Sequence, residues 1–414
     1  MRDGLHEGDR VALLVPGSLT YLAAVGSLLA RGVVPIPLDP RLTAYERERI
    51  LGTLSPGLVV EDEDDLAALA GELDLPRARP MHVTSGTTGT PKGVWSGVLG
   101  AEDAGALVAE ERELWGFRAD DVNLVLSPLY HSAPLRFASG TALAGGRVVI
   151  PGPFDAATVT AAIEAERPTS MFCVPAHLQR LFAHWDEHGR PDLSSFRLVA
   201  HAGAPCPPAI KRRLIEAFPA GSTWEFYGAT EGQFTACRSE EWLERPGTVG
   251  RARPGRRLSV DPDGTIWCAV PPYARFEYFG DPVKTAAAWR TDADGRSSFT
   301  VRDVGRLDDD GYLYLDGRRH DLIISGGVNV YPLEVENALR DHPGVVDVAV
   351  YAMPDERWGQ RVCAAVVGTA TAAELDALAR ERLAPPKRPK EYHHLDELPR
   401  TLTGKVRRDQ LGQT

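Results

Sequence analysis

The chain has 414 residues, 43% apolar and 25% charged, which supplies a large core in several domains at roughly 150 residues each and excludes disorder and staple-dependent miniature folds. Lys+Arg is 46 against Asp+Glu 57, and the net charge of −11 removes the basic footprint of a nucleic-acid binder. No apolar stretch is long enough for a membrane span, residues 1–7 carry no hydrophobic leader, and five cysteines without a CxxC pair indicate neither a zinc ribbon nor a disulfide framework, so a reduced, cytoplasmic protein is expected.

The predicted elements alternate along the first half. Residues 10–15 form a short apolar run ended by Pro16, residues 19–29 have helical spacing, and residues 33–38 are β-branched and end at Asp39-Pro40. Between them and the next cycle, residues 61–65 are an acidic run expected to be a solvated loop. The alternation resumes as strand 123–126, helix 136–143, strand 147–150, helix 156–166, strand 170–174, helix 176–188, strand 196–200, helix 207–218 and strand 222–226. Such alternation predicts an α/β fold of mostly parallel sheets covered by helices. After Gly247 helices thin out and turns such as Asp263-Gly264 and Asp310-Gly311 appear, so a β-rich subdomain of hairpins is expected over about 247–317. A new βα pattern follows at 322–324, 332–340, 345–351, 361–367 and 372–383, predicting a small α/β C-terminal domain. The expected division is residues 1–319 and residues 320–414.

The segment Val83-Thr84-Ser85-Gly86-Thr87-Thr88-Gly89-Thr90-Pro91-Lys92-Gly93 carries the strongest chemical signal. Glycines let backbone N–H groups approach phosphate oxygens, hydroxyls add donors, and the lysine adds a point charge. The spacing is not that of a Walker A loop.

This segment resembles the phosphate loop of the adenylate-forming superfamily of acyl- and aryl-CoA ligases, nonribosomal adenylation domains and luciferases. The family's other motifs follow in order. Ala202-Gly203-Ala204-Pro205 resembles the loop that lies on adenine, and Tyr227-Gly228-Ala229-Thr230-Glu231 the motif that stacks adenine, touches phosphate and holds magnesium. Arg302-Asp303 and Gly317-Arg318 match the two ribose contacts, and Pro399-Arg400-Thr401-Leu402-Thr403-Gly404-Lys405 matches the loop whose lysine serves adenylation. The likeness runs from about Gly8 to Arg408, and Pro128-Leu129-Tyr130-His131 with His201-Ala202-Gly203-Ala204-Pro205-Cys206 is most similar to bacterial acyl-CoA synthetases.

The resemblance implies ATP, Mg2+ and coenzyme A as cofactors and a small carboxylic acid as substrate. It implies catalytic roles for Lys405, His131 and Thr87. Nucleotide contacts are implied for Thr84, Ser85, Gly86, Thr88, Gly89, Lys92, Gly203, Ala204, Pro205, Glu225, Phe226, Tyr227, Gly228, Thr230, Asp303 and Arg318. Glu231 is the expected magnesium ligand. Tyr130, Phe172, Val174, His201 and Ala229 are the expected walls of the acid pocket, Gly326 and Gly327 line the expected thiol tunnel, and His320 stands at the hinge, with the C-terminal domain expected to be mobile. A carboxylate repels nucleophiles, and its activation concentrates negative charge on phosphate oxygens, which suits a mobile lysine and Mg2+.

Departures from the family pattern are also legible. Most members carry Thr-Gly-Asp where this chain has Val301-Arg302-Asp303, so Arg302 is expected to crowd the ribose turn, and the chain starts several tens of residues late. The alternative acceptor is a carrier protein, an amine or another nucleophile, and the remote alternative is an inactive paralogue acting as a partner. His184-Trp185-Asp186-Glu187-His188 has the spacing of some zinc peptidases but is expected to be a solvated helix end. His393-His394 is expected at the surface, Cys206 as an apolar filler, and Arg136 is a weaker candidate reader of a second substrate carboxylate.

Overall fold

The structure, a computed structural model, describes residues 4–84, 92–318, 321–325, 328–355, 358–383, 385–401 and 405–412. The chain forms two compact units, residues 1–202, 208–258 and 268–299 in the first and residues 203–207, 259–267 and 300–414 in the second.

The first unit is built on a seven-stranded sheet ordered Arg251–Ala252, Thr235–Arg238, Thr223–Glu225, Leu198–His201, Ser170–Cys173, Val122–Val125, Arg147–Val149. The last five strands are parallel, and Thr235–Arg238 joins them antiparallel. Leu198–His201 and Ser170–Cys173 are buried at every position, as strands covered on both faces must be. Side-chain alternation sorts them into two clusters. Met171, Cys173 and Val199 pack with Leu181, Phe182 and Leu214, whereas Phe172, Val174 and Ala200 pack with Trp115, Phe137 and Phe226. A smaller parallel sheet places Arg10–Leu13 between Val34–Pro37 and Leu58–Val60. Val34–Pro37 holds two prolines and is an edge strand, where missing N–H donors are tolerated.

The acidic run expected as a loop instead starts the helix Glu63–Leu69. Asp62 caps it by accepting from the Asp65 N–H, Glu63, Asp64 and Asp65 meet the positive end of the helix dipole, and Leu66 and Leu69 are buried. Two longer helices also lie outside the expected set, Ala44–Leu54 and Ala101–Trp115. The first was legible: Thr43 and Glu46 form a reciprocal capping box. The helix expected at 136–143 begins at Ser132, with Pro134 in its first turn, where a missing N–H costs nothing.

In the second unit, Asp303–Leu307 pairs antiparallel with Leu313–Arg318, and Gly264 and Gly311 take the left-handed conformation that the two Asp-Gly turns require. The C-terminal sheet is ordered Val328–Val330, Ile323–Ser325, Gly359–Gly368, Val345–Asp355, with Glu391–His394 added parallel to Gly359–Gly368. Val362, Ala364 and Val366 face the helices Pro332–Arg340 and Ala372–Arg382 through Val335, Leu339, Leu375 and Ala379. Cys363 and Ala365 face the other way, against Tyr351, Leu398 and Leu411. His393-His394, expected at the surface, keeps a His393 side chain 43% exposed and an exposed His394. The two lie in the strand Glu391–His394, whose pairing depends on a partner 28 positions upstream, Cys363↔Glu391, which local pattern does not reveal.

Candidate active site

In the first unit the expected residues gather after the carboxyl ends of the parallel strands, where open α/β sheets bind ligands. Phe172 and Val174 follow Ser170–Cys173, His201 ends Leu198–His201, Phe226 follows Thr223–Glu225, and Tyr130 and His131 follow Val122–Val125. Ser85, Gly86, Thr87, Thr88, Gly89, His320, Gly326 and Gly327 lie outside the described residues.

Thr84 and Lys92 are register partners in a strand pair, so the two ends of the glycine-rich segment are held together. Lys92 Nζ lies 2.9 Å from Asp281, which also caps the helix Pro282–Ala288 by accepting from the Lys284 N–H. That backbone bond, and then Lys92, hold the Asp281 carboxyl below its usual range. A Cβ on Gly93 would stand 2.6 Å from Met81 Sδ, so a larger residue there must displace the Met81 side chain.

His131 is the N-cap of the helix Ser132–Leu143, and its ring meets Tyr130 edge-on at 4.4 Å. Tyr130 is clamped: its hydroxyl donates to Asp39 at 3.0 Å and accepts from Arg41 at 2.7 Å. Burial, reinforced by Asp39, pushes the Tyr130 phenol up to about 12. The Tyr130 carbonyl lies 3.2 Å from His82 Nδ1.

Burial pushes His82 from the ordinary 6.5 down to about 3 and His177 down to about 4. Their folded forms stay neutral while the unfolded chain takes up protons below pH 6.5, so stability falls as pH drops through that window. Between pH 7 and pH 5 each should cost about 2 kcal/mol. Urea unfolding at the two pH values measures this, and equal stabilities would overturn it.

The expected pocket walls divide. Phe172 lies 5.7 Å from Phe137 and 5.8 Å from Phe226, ring to ring, with Val174 in the same cluster. His201 is on the opposite side of its sheet, fully buried, with Nε2 2.7 Å from Lys211 Nζ of the helix Pro208–Ala217. It therefore shares no wall with Phe172 and Val174. Lys211 also donates to Glu225 at 3.3 Å, so Glu225, expected at the nucleotide, is held in this buried trio. Burial drives His201 well below its ordinary value and raises Glu225 despite Lys211. Lys211 was missed; its signal was a lysine on the apolar stripe of a helix, three residues before Leu214.

Tyr227 is buried, 4.9 Å from Phe234 ring to ring, and its N–H donates to Thr235 Oγ1. Gly228 and Ala229 pair with Gln233 and Gly232, which sets Thr230 and Glu231 in the turn between them. A Cβ on Gly228 would stand 2.8 Å from the Gly232 carbonyl, so glycine is required there. Glu231 is 7% exposed, and its Oε1 accepts from the Tyr278 hydroxyl at 2.8 Å. Tyr278 was not foreseen. A carboxylate held this way is a hard oxygen donor of the kind Mg2+ takes.

Arg136 is committed inside the protein. It donates to Gln233 at 2.7 Å, lies 3.7 Å from Glu111, and stacks 5.0 Å over Phe226. Arg253 reaches the same Gln233 and also Glu110 and Glu111. The reading of Arg136 as a reader of substrate carboxylate gives way to this internal network.

In the second unit Gly203 takes φ +92 and leads into Ala204 and Pro205. Asp303 is 5% exposed and is the backbone register partner of Arg318. Arg302 has φ 63, and its N–H donates to Thr300 Oγ1. The family's glycine would take this left-handed backbone freely, whereas arginine pays about 1 kcal/mol or more. Lys405 is exposed, with its N–H on Thr401 Oγ1 and its carbonyl accepting from the Thr401 N–H.

His184 and His188 are stacked, 4.3 Å apart, at the end of the helix Pro175–His188, where Gly189 terminates it.

The chain matches the family model "AMP-binding enzyme" over residues 80–268 and "AMP-binding enzyme C-terminal domain" over residues 334–405. It is 35% identical to a feruloyl-CoA synthase of Amycolatopsis, over 97% of this chain and 88% of the relative. It is 32% identical to a 2-succinylbenzoate–CoA ligase of Geobacillus kaustophilus, over 99% and 88%. Among solved structures it resembles o-succinylbenzoate-CoA synthetase of Bacillus subtilis in complex with its acyl-adenylate intermediate, with 26% identity, a TM-score of 0.82 and coverage of 100% and 90%. An amide bond synthetase of Marinactinospora thermotolerans gives 27% identity, 0.82, and 99% and 90%.

Proposed function

The chain belongs to the AMP-binding enzyme family, and from that premise we infer how its residues carry the family's chemistry. It is an AMP-forming acid–thiol ligase: ATP and a carboxylic acid give acyl-AMP and pyrophosphate, then coenzyme A gives the thioester and AMP. The observation that carries this is the match to CoA ligases over 97% of the chain.

In our reading Lys92, with Thr84 and residues 85–89, holds the ATP phosphates, and Asp303 and Arg318 hold the ribose. Residues 203–205 and Tyr227 enclose the adenine. Thr87 and Thr230 donate to phosphate oxygens, and His131 gates the passage from acid to phosphates. Glu231 would hold Mg2+, which when bound would supply positive charge to the phosphate oxygens. Residues 1–319 form the adenylating domain, and residues 320–414 turn about His320 between half-reactions. That turn is needed because Lys405 serves the first step while the thiol, passing Gly326 and Gly327, must reach the acyl carbon in the second.

Glu231→Gln should raise the Mg2+ concentration needed for half-maximal rate about 10-fold or more. The fold should persist, because an amide oxygen still accepts from Tyr278. An unchanged magnesium dependence would make Glu231 a structural residue.

We read the acid as aromatic, supported by the two named relatives and by Phe137, Phe172 and Phe226 beside Val174. The test is pyrophosphate release across a panel of aryl, arylpropenoic and straight-chain acids. Aryl acids should turn over fastest; a straight-chain preference overturns the aromatic reading, and no release with any acid overturns the ligase. The likeness to an amide bond synthetase favours an amine as the second acceptor reading. Adding coenzyme A, an amine or a carrier protein to preformed adenylate decides between them. No disulfide joins the five cysteines, which fits a cytoplasmic location.

A further inference from the structure

We propose that Cys363, Glu391 and His393 form a binding site for a divalent cation of the zinc class, separate from the magnesium chemistry at Glu231. Cys363 and Glu391 are backbone register partners on adjacent parallel strands, and His393 lies two residues further on, so all three side chains stand on one face of the sheet. One thiol sulfur, one carboxylate oxygen and one imidazole nitrogen lie within 4.8 Å of one another. Ligands on a tetrahedral zinc, at about 2.0–2.3 Å from the metal, stand about 3.5 Å apart, so side-chain rotation of about 1 Å closes the set. The backbone is already held by the strand pairing.

The donor set decides the metal. Sulfur and nitrogen suit zinc and its neighbours, whereas Mg2+ takes oxygen. Access runs from solvent inward: the His393 and Glu391 side chains are 43% and 40% exposed, and Cys363 lies buried behind them. Three protein ligands leave a fourth position for water. As the metal–sulfur bond forms, the thiol proton passes to solvent.

Arg361 is the counter-charge at this place, with Nη2 3.1 Å from Glu391. It also lies 3.7 Å from Asp355, so it keeps a carboxylate when Glu391 turns to the metal. The site shares its sheet face with Leu398 and Val406, which flank the segment holding Lys405.

The full chain, stripped with chelator and free of nucleotide, is titrated with Co2+. A single equivalent should bind, with a thiolate-to-cobalt charge-transfer band in the near ultraviolet, and Zn2+ should displace it while excess Mg2+ does not. Cys363→Ser should remove the band. His393→Gln changes a half-exposed side chain and should keep the fold, so it guards against misfolding of the buried cysteine variant; it should weaken Co2+ about 10-fold or more. Arg361→Gln should tighten binding. Absence of the band, its survival in Cys363→Ser, or unchanged affinity in His393→Gln overturns the site.

Discussion

Lys405→Ala is expected to slow acyl-adenylate formation by about 10²–10³, the cost of removing a cation brought to a charge that grows in the transition state. Transfer from synthetic acyl-adenylate to coenzyme A should be largely retained. The structure makes this a clean test. The backbone around Lys405 is pinned by the Thr401 hydroxyl, by the Thr401 N–H and by the Arg400–Val406 bridge, none of which uses the lysine side chain. Pyrophosphate release and thioester formation are measured separately in single turnovers. Equal losses in both would remove Lys405 from the chemistry of the first step.

Lys211→Met should lower the free energy of unfolding by about 3–5 kcal/mol, the range for removing one partner of a buried ion pair. Lys211 is fully buried, and its loss leaves the Glu225 carboxylate without its cation and His201 Nε2 without its donor. The penalty should depend on pH. Burial already raises Glu225, and without Lys211 its folded value rises further. A carboxyl raised in the folded state favours folding at low pH and loses that contribution as pH climbs through the folded value. The variant's deficit should therefore be smaller at pH 5 than at pH 7. Adding Glu225→Met should recover most of the loss, because an apolar pair replaces a broken ionic one. A single-variant loss under about 1 kcal/mol in urea unfolding would show that water already reaches the trio.

What the chain determines by itself is local and covalent. The parallel α/β core was legible because its strands are short apolar runs separated by helices of the right length, and each helix end carries its own stop, as Gly189 does for Pro175–His188. The glycine-rich segment, the Gly228 turn and the Lys405 loop were legible because phosphate binding and tight turns demand particular residue types at fixed spacing. The tertiary structure decided the pairings between distant positions. It set Asp281 on Lys92, Tyr278 on Glu231, the Asp39–Arg41 clamp on Tyr130, and Lys211 between His201 and Glu225. It turned Arg136 inward to Glu111 and brought Cys363 beside Glu391. A charged side chain has the same local pattern whether it ends in solvent or in a buried pair. Only the packing of strands far apart in sequence supplies the partner, and burial then sets the energy of the contact.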